Sequence, residues 1–199
     1  MTVKRGEPWG RDVTASVDPV AVDSDATLAA RLSDGVGEPP VLVRGGDLHR
    51  TLGSPTGGPT KRLPIDVMAV CADGRELTAV AHVLARRRGR LGWWRGPIVA
   101  VMNVDHFGGW DVAPRAHPND GWLDVVEVSA AMSRRARWQA WRRLDTGTHL
   151  PHPDIVTRRV RDVSFSFDPS VALWLDGIDR GDVRALRVSL EPDAAEIYV

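Results

Sequence analysis

The sequence predicts an α+β fold in which an antiparallel β-sandwich over residues 61–199 follows a small α/β lobe over residues 1–55. Three observations carry this expectation. Beyond a Gly/Pro/Thr linker at Ser54–Thr60, short β-branched-rich runs recur between Asp-Gly and Pro turns, as antiparallel strands do. Before the linker, an apolar run, a polar turn and a helical stretch occur twice in succession, which is the pattern of βα units with parallel pairing. One capped helix interrupts the series of strands, as an insertion into a sandwich or distorted barrel would.

In chain order, residues 1–19 are polar and Pro/Gly-bearing, a strand fragment or a loose arm. Val20–Val22 is a short buried strand, and Ala26–Leu32 a helix capped by Ser24 or Asp25. Gly35, Gly37, Pro39 and Pro40 break the chain before a second strand, Val41–Val43, a Gly45-Gly46 turn and the helical Asp47–Leu52. The expected sandwich strands are Ile65–Cys71, Glu76–Leu84, Ile98–Val104 and Leu123–Val128, then Val163–Phe167, Val171–Leu175, Val183–Leu190 and Glu196–Val199. Ala72-Asp73-Gly74-Arg75 is a hairpin signal, because Asp and Gly accept the positive φ of a tight turn. Ser133 caps a helix over Arg134–Leu144, which Gly147 ends.

Composition narrows the function classes. Lys plus Arg (26) balances Asp plus Glu (26), so no net charge draws the chain to nucleic acid or to an anionic surface, and no nucleic-acid partner is expected. The lone Cys71 rules out an internal disulfide framework. No apolar run approaches the roughly 20 residues of a membrane span and the start does not resemble a signal peptide, so a soluble, cytoplasmic protein is expected. Eight Trp stand against three Phe and one Tyr, and Trp93, Trp94, Trp138 and Trp141 lie beside Arg. Such pairs arise where Arg stacks over a core Trp, or where a rim faces lipid. Arg86-Arg87-Arg88-Gly89-Arg90 is expected to be the solvated end of a helix over Thr78–Arg88, or a contact for anionic headgroups. His149, His152 and Asp154 include common zinc donors, but Pro151 prevents the helix that would align the imidazoles, which makes His149 a satisfied loop residue. No GxSxG turn supports a Ser–His–Asp triad.

Three stretches then fall into one order. Within Val99–Val125 the sequence AVMNVDHFGGWDVAPRAHPNDGWLDV carries Asn103, Gly108-Gly109, Pro114, Ala116 and Asp120-Gly121; Gly147-Thr148-His149 and LWLDG at Leu173–Gly177 follow; and PPVLVRGGDLHRTLGSP occupies Pro39–Pro55. Together they resemble the diacylglycerol kinase/YegS-like lipid kinases, whose corresponding elements are the central motif, "G-x-H", "DGE" and "lPxGTxNDlARxLGxP". The resemblance spans roughly residues 20–199 and implies the lipid-kinase C-terminal β-sandwich. It also places Val22-Asp23-Ser24-Asp25-Ala26-Thr27 where the family has its VxGGDGTxxE phosphate turn.

The departures from that pattern bear on the chemistry. Asp25 and Thr27 match the phosphate turn, but Asp23, Ser24 and Ala26 replace its glycines, so nucleotide is expected to bind poorly. Val43, Arg44 and Gly46 stand for the Gly, Thr and Asn of GTxND, while Asp47 persists and Arg44 remains a candidate phosphate donor. Ile178 replaces the Glu of DGE, which the resemblance makes the general base; Asp176 or Asp179 would have to substitute, although Asp176 also suits a hairpin turn. Only 21 residues precede Val22, where family members carry further βα units. The resemblance further implies a structural Mg²⁺ held by the Asp120 carboxylate with the main-chain oxygens of His117 and Trp122, a hard-oxygen set. The expectation is a pseudokinase that binds a lipid or other amphiphile between its lobes, near Asp47, Asn103, His106 and Asp176, with peripheral membrane contact through the Arg/Trp clusters. The alternative is an active lipid kinase whose ATP site is rebuilt or completed by a second chain, as in a homodimer.

Overall fold

The computed structural model describes residues 9–13, 18–34, 40–56 and 61–199; the expected breaks at Gly35, Gly37 and Pro39 and most of the arm and the end of the linker lie outside these. The lobe opens with β1 (Arg11–Asp12) and β2 (Val20–Val22), then α1 (Asp25–Ser33), β3 (Val41–Val43) and α2 (Gly46–Thr51). Ser24 is the N-cap of α1, its hydroxyl accepting from the Thr27 N–H at 3.2 Å. β2 pairs with β3 in parallel, Val20 against Val41 to Val22 against Val43, as two βα units predict.

The sandwich is built from β4 (Lys61–Ala72), β5 (Arg75–Ala79), β6 (His82–Arg86), β7 (Ile98–Met102), β8 (His106–Phe107), β9 (Trp110–Asp111), β10 (Leu123–Val128), α3 (Arg134–Trp141), β11 (Ile155–Val160), β12 (Asp162–Leu175) and β13 (Ile178–Tyr198). One antiparallel path runs β1-β4-β13-β12-β6-β7-β10-β11, with β5 added to β4 and a separate β8–β9 hairpin. Register shifts between Ser166 and Val171 in β12, and between Glu191 and Ala195 in β13, bend the long strands. Met68, Val70, Leu123, Leu173, Val183 and Val188 form one buried cluster from strands across this path. The lobe is stitched to the same sheet by a parallel bridge from Leu42 to Tyr198. Its α1 and α2 residues Leu28 and Leu48 share a core with Ile65, Val104 and Ile197.

Several elements differ from the expectation, each for a physical reason. Glu76–Leu84 is not one strand: it breaks at Val80-Ala81, whose N–H groups turn aside to the Asp176 carboxylate. The helix expected over Thr78–Arg88 is replaced by β5 and β6. Arg86 therefore leaves a strand end and stacks over Trp93 and Trp174, its guanidinium 4.3 and 4.4 Å from the ring centres. Val163–Phe167 and Val171–Leu175 merge into β12, and the last two predicted strands into β13, because their Pro and Gly residues are accommodated in bulges. α3 stops at Trp141, three residues early, and a 3₁₀ turn over Leu144–Thr146 carries the chain to Gly147 at φ +63°. β11 was not anticipated, since its IVTRRV sequence lacks alternation. No helix among the described residues is long and apolar enough to cross a membrane.

Candidate functional site

The turn before α1 and the turn before α2 meet. Asp25, only 5% exposed, points away from solvent and accepts hydrogen bonds from the Asp47 N–H at 2.6 Å and the Leu48 N–H at 3.2 Å. These are leading backbone donors of α2, the kind that elsewhere hold a bound anion; here the protein's own carboxylate stands in that place. Gly46 makes the approach feasible, because a Cβ on it would lie 2.3 Å from Asp25 Oδ1 and its φ is +92°. Burial is the main cause that raises Asp25 to a pKa of about 6, against the pull of the two N–H donors.

Asp47 continues the network. Its carboxylate accepts from the Gly108 N–H at 2.9 Å and lies 3.0 Å from His82 Nε2. Burial works against the charge of both partners, yet their contact prevails, lowering Asp47 below the usual carboxylate range and raising His82 above the usual imidazole value. Each partner thus favours the charged form of the other, an imidazolium facing a carboxylate. Asp176 supports it from the other side: its φ of +48° turns the β12–β13 hairpin. Its buried carboxylate accepts from the Val80, Ala81 and His82 N–H groups at 2.9, 2.9 and 3.0 Å. Burial raises its pKa.

Asp25, Asp47 and His82 offer ligand atoms that all lie within 4.8 Å of one another, a grouping that can hold a metal. Both oxygens of Asp25, Asp47 and Asp176 already face N–H donors, however, and His82 Nε2 is taken up by Asp47, so a cation would have to compete with these contacts. The structure thus brings three predicted site residues, Asp25, Asp47 and Asp176, into one hydrogen-bonded layer around a fourth, His82. A His inside the apolar run AVAHVLA was the available signal for it. Thr27 stays at the α1 cap, 2.8 Å from Ser24 Oγ, and Arg44 is exposed. Ile178 is 46% exposed at the hairpin, and Asp179 is ion-paired with Arg88 on the surface, which lowers its pKa to about 2.

The Asp120 turn is closed in a similar way. Asp120 Oδ1 accepts from the Trp122 N–H at 3.0 Å, Oδ2 is ion-paired with Arg159, and the His117 carbonyl accepts from the Asp120 N–H at 3.4 Å. An arginine already neutralises the one anionic ligand of the implied set, so these residues do not fit a divalent cation as arranged. The loop is instead anchored by the fully buried Asp66, which accepts from the Gly121 and Asp193 N–H groups at 2.8 and 2.9 Å and from Asn119 Nδ2 at 3.3 Å.

The open space lies elsewhere than expected. A cavity of about 330 Å³ sits between the outer face of β6, β7 and β10 and a cover made of α3, the Arg90–Trp93 turn and the β8–β9 hairpin. None of Asp47, Asn103, His106 or Asp176 lines it; their side chains are engaged in hydrogen bonds, Asn103 Nδ2 donating to the Asp66 and Val80 carbonyls and His106 Nδ1 lying 2.6 Å from Asp105. The sheet contributes Leu84, Ala100, Met102 and Val126, and the cover contributes Trp93, Trp94, Phe107, Trp110 and Trp141. Trp93 meets Trp110 edge-on at 5.7 Å, and Trp94 meets Trp141 at 6.4 Å. Arg137, 4% exposed, fixes α3 by donating to the Met132, Trp93, Gly96 and Ser129 carbonyls.

Three ionisable side chains reach the cavity wall: Arg137, His82 on the side of the carboxylate layer, and His149. The expectation of a satisfied His149 is corrected here. It is 4% exposed, and neither ring nitrogen has a well-formed hydrogen bond, the Val112 backbone giving at most a loose one. Burial lowers its pKa and keeps the ring neutral.

Comparison with known proteins adds the lineage. The family model of the YegS C-terminal NAD kinase beta sandwich-like domain matches residues 67–199. Three solved structures of proteins described as diacylglycerol kinases, all from Bacillus anthracis str. Sterne, share the fold. Two have TM-scores of 0.61 and 0.60 at 16% identity over 81% of this chain, and one has 0.60 at 13% over 80%; each match spans 69% of the solved chain. No curated protein matches the sequence.

Proposed function

Because the chain belongs to the family of the YegS C-terminal NAD kinase beta sandwich-like domain, we propose that it is a lipid-kinase-like protein that binds a lipid or other amphiphile and does not transfer phosphate. The observation that carries this reading is the aromatic-walled cavity under α3. Its volume is in the range of small-ligand sites, and its lining suits an alkyl chain. The loss of phosphotransfer rests on the carboxylate layer: the backbone donors that a triphosphate would need at the start of α2 are held by Asp25. A proton-accepting role for Asp176 is opposed by its three N–H partners.

The amphiphile would come from a membrane surface at the cytoplasmic face. Trp138 and Trp141 are 46% and 44% exposed on α3, and Arg134, Arg135, Arg142 and Arg143 surround them without an acidic residue between 134 and 143. This is the composition of an interfacial helix. The alternative is an ATP-dependent lipid kinase completed by a second chain.

The test titrates the protein with a micellar-range alkyl glycoside and, separately, with ATP and Mg²⁺, following tryptophan fluorescence, and then assays transfer of labelled phosphate to diacylglycerol. Saturable quenching by the amphiphile alone is the expected result. Micromolar ATP affinity, or any labelled phosphatidic acid, overturns the reading.

A further inference from the structure

Several buried side chains among the described residues leave one polar atom without a well-formed partner, but His149 leaves both. Buried polar groups left without partners cost stability, so natural chains retain few of them. Here neither nitrogen of one imidazole has a well-formed partner, the Val112 backbone giving at most a loose one, and they belong to a residue on the wall of a cavity rather than in packed core. Two such atoms side by side specify a complement. A neutral imidazole presents one N–H donor and one bare nitrogen acceptor, and a hydroxyl group offers the matching acceptor and donor.

The remaining wall excludes charged alternatives. A carboxylate head would need an uncompensated cation, but the guanidinium of Arg137 already faces four backbone carbonyls and His82 is already ion-paired with Asp47. An ammonium head would need an anion, and no Asp or Glu lines the cavity. His82 has its Nε2 bound to Asp47, which leaves its buried Nδ1 as the one other unserved polar atom of the three ionisable wall residues. An unpaired charge placed among Leu84, Met102 and the tryptophans would meet a large desolvation penalty.

We infer that the cavity selects a long-chain amphiphile through a neutral hydroxyl group that hydrogen-bonds to His149, in preference to a fatty carboxylate or a bare hydrocarbon. The inference rests on the proposed amphiphile-binding reading and makes His149 the residue that sets its specificity.

The experiment measures binding of 1-decanol, undecane and decanoate by tryptophan fluorescence, each delivered from cyclodextrin at about pH 8, to the wild-type chain and to His149→Leu and His149→Gln. In His149→Leu the affinity for 1-decanol falls about five- to tenfold relative to that for undecane, the value of one well-placed hydrogen bond. His149→Gln, which keeps a donor and an acceptor, recovers most of that loss, and decanoate binds the wild type at least about tenfold more weakly than 1-decanol. Equal losses for 1-decanol and undecane, or decanoate binding as well as 1-decanol, overturn the inference while leaving amphiphile binding intact. Failure of all three probes to bind the wild type overturns the proposed function and this inference with it. If His149→Leu does not fold, His149→Phe carries the same comparison.

Discussion

Two ends of one face of β6, at His82 and at Leu84, treat polar groups in opposite ways. On the His82 side, Asp25, Asp47 and Asp176 meet backbone N–H groups of α2, of the Val80–His82 corner and of Gly108, and each carboxylate oxygen has a donor. On the Leu84 side, an apolar cavity contains an imidazole without a well-formed hydrogen bond. The first region has the geometry of an anion site filled from within, so its residues act as fasteners between the lobe and the sandwich. The second has room and an unmet polar demand, which is where a ligand has something to add. Resemblance by motif draws attention to the first; unsatisfied chemistry draws it to the second.

The largest expected effect tests whether the carboxylate layer is structural. Asp176→Ala strips three buried N–H groups of their acceptor, at roughly 1–3 kcal/mol each before relaxation and water entry, so a loss of about 4 kcal/mol is expected in urea unfolding. A loss below about 1 kcal/mol with an unchanged m-value would show that the layer does not hold the fold.

The pH dependence of stability sharpens the same contrast. Asp25 has a folded pKa of about 6 against an ordinary 3.8, so the folded chain holds the proton more tightly. Its contribution to stability is greatest below about pH 4 and declines as pH rises through 6, by roughly 3 kcal/mol in total. His82 moves in the same direction: its pKa is raised, so its contribution is complete below the ordinary imidazole value and is lost as pH rises through the folded one. Asp47 opposes them, since its lowered pKa adds stability above the ordinary carboxylate range that is lost only on strong acidification. The half-buried His117 and the buried His149, whose pKa values burial lowers, act the other way in the same range, so the difference between two chains isolates the network: from about pH 4 to 7 the Tm of the wild type should fall relative to that of Asp25→Asn. A difference in Tm that stays constant or runs the other way across this window contradicts the network as described.

Much of this was legible in the sequence, and unevenly so. The parallel pairing of Val20–Val22 with Val41–Val43, the Ser24 and Ser133 caps and the Asp73-Gly74 hairpin follow from local rules, and the structure has them. The break at Val80-Ala81 did not, because its cause is Asp176, 96 residues away from Val80. Asp25, Asp47 and Asp176 could be picked out by motif, but a motif does not say whether a carboxylate faces a ligand or a backbone N–H. His149 was visible as part of a Gly-x-His element and was misjudged as satisfied, since hydrogen-bond supply in a loop depends on neighbours distant in sequence, such as Val112 just after β9. The cavity had no local signature beyond the surplus of tryptophan, whose side chains come together only when α3 folds over β6, β7 and β10.

The smallest expected effect decides between a ligand role and a structural role for His149. If the imidazole served the fold, replacing it would cost stability, as Asp176→Ala does. It has no well-formed partner to lose, and a leucine of similar volume removes two dehydrated nitrogens from an apolar wall formed by Leu144, Leu84 and Trp141 among others. His149→Leu is therefore expected to leave the unfolding free energy unchanged or to raise it by up to about 1 kcal/mol, while weakening hydroxyl-bearing ligands. Stability and affinity moving in opposite directions on one substitution is the mark of a group retained for binding, and urea melts run beside the decanol titration measure both. A loss of more than about 1 kcal/mol in His149→Leu would assign the residue to the fold and remove the difference between the two ends of this face of β6.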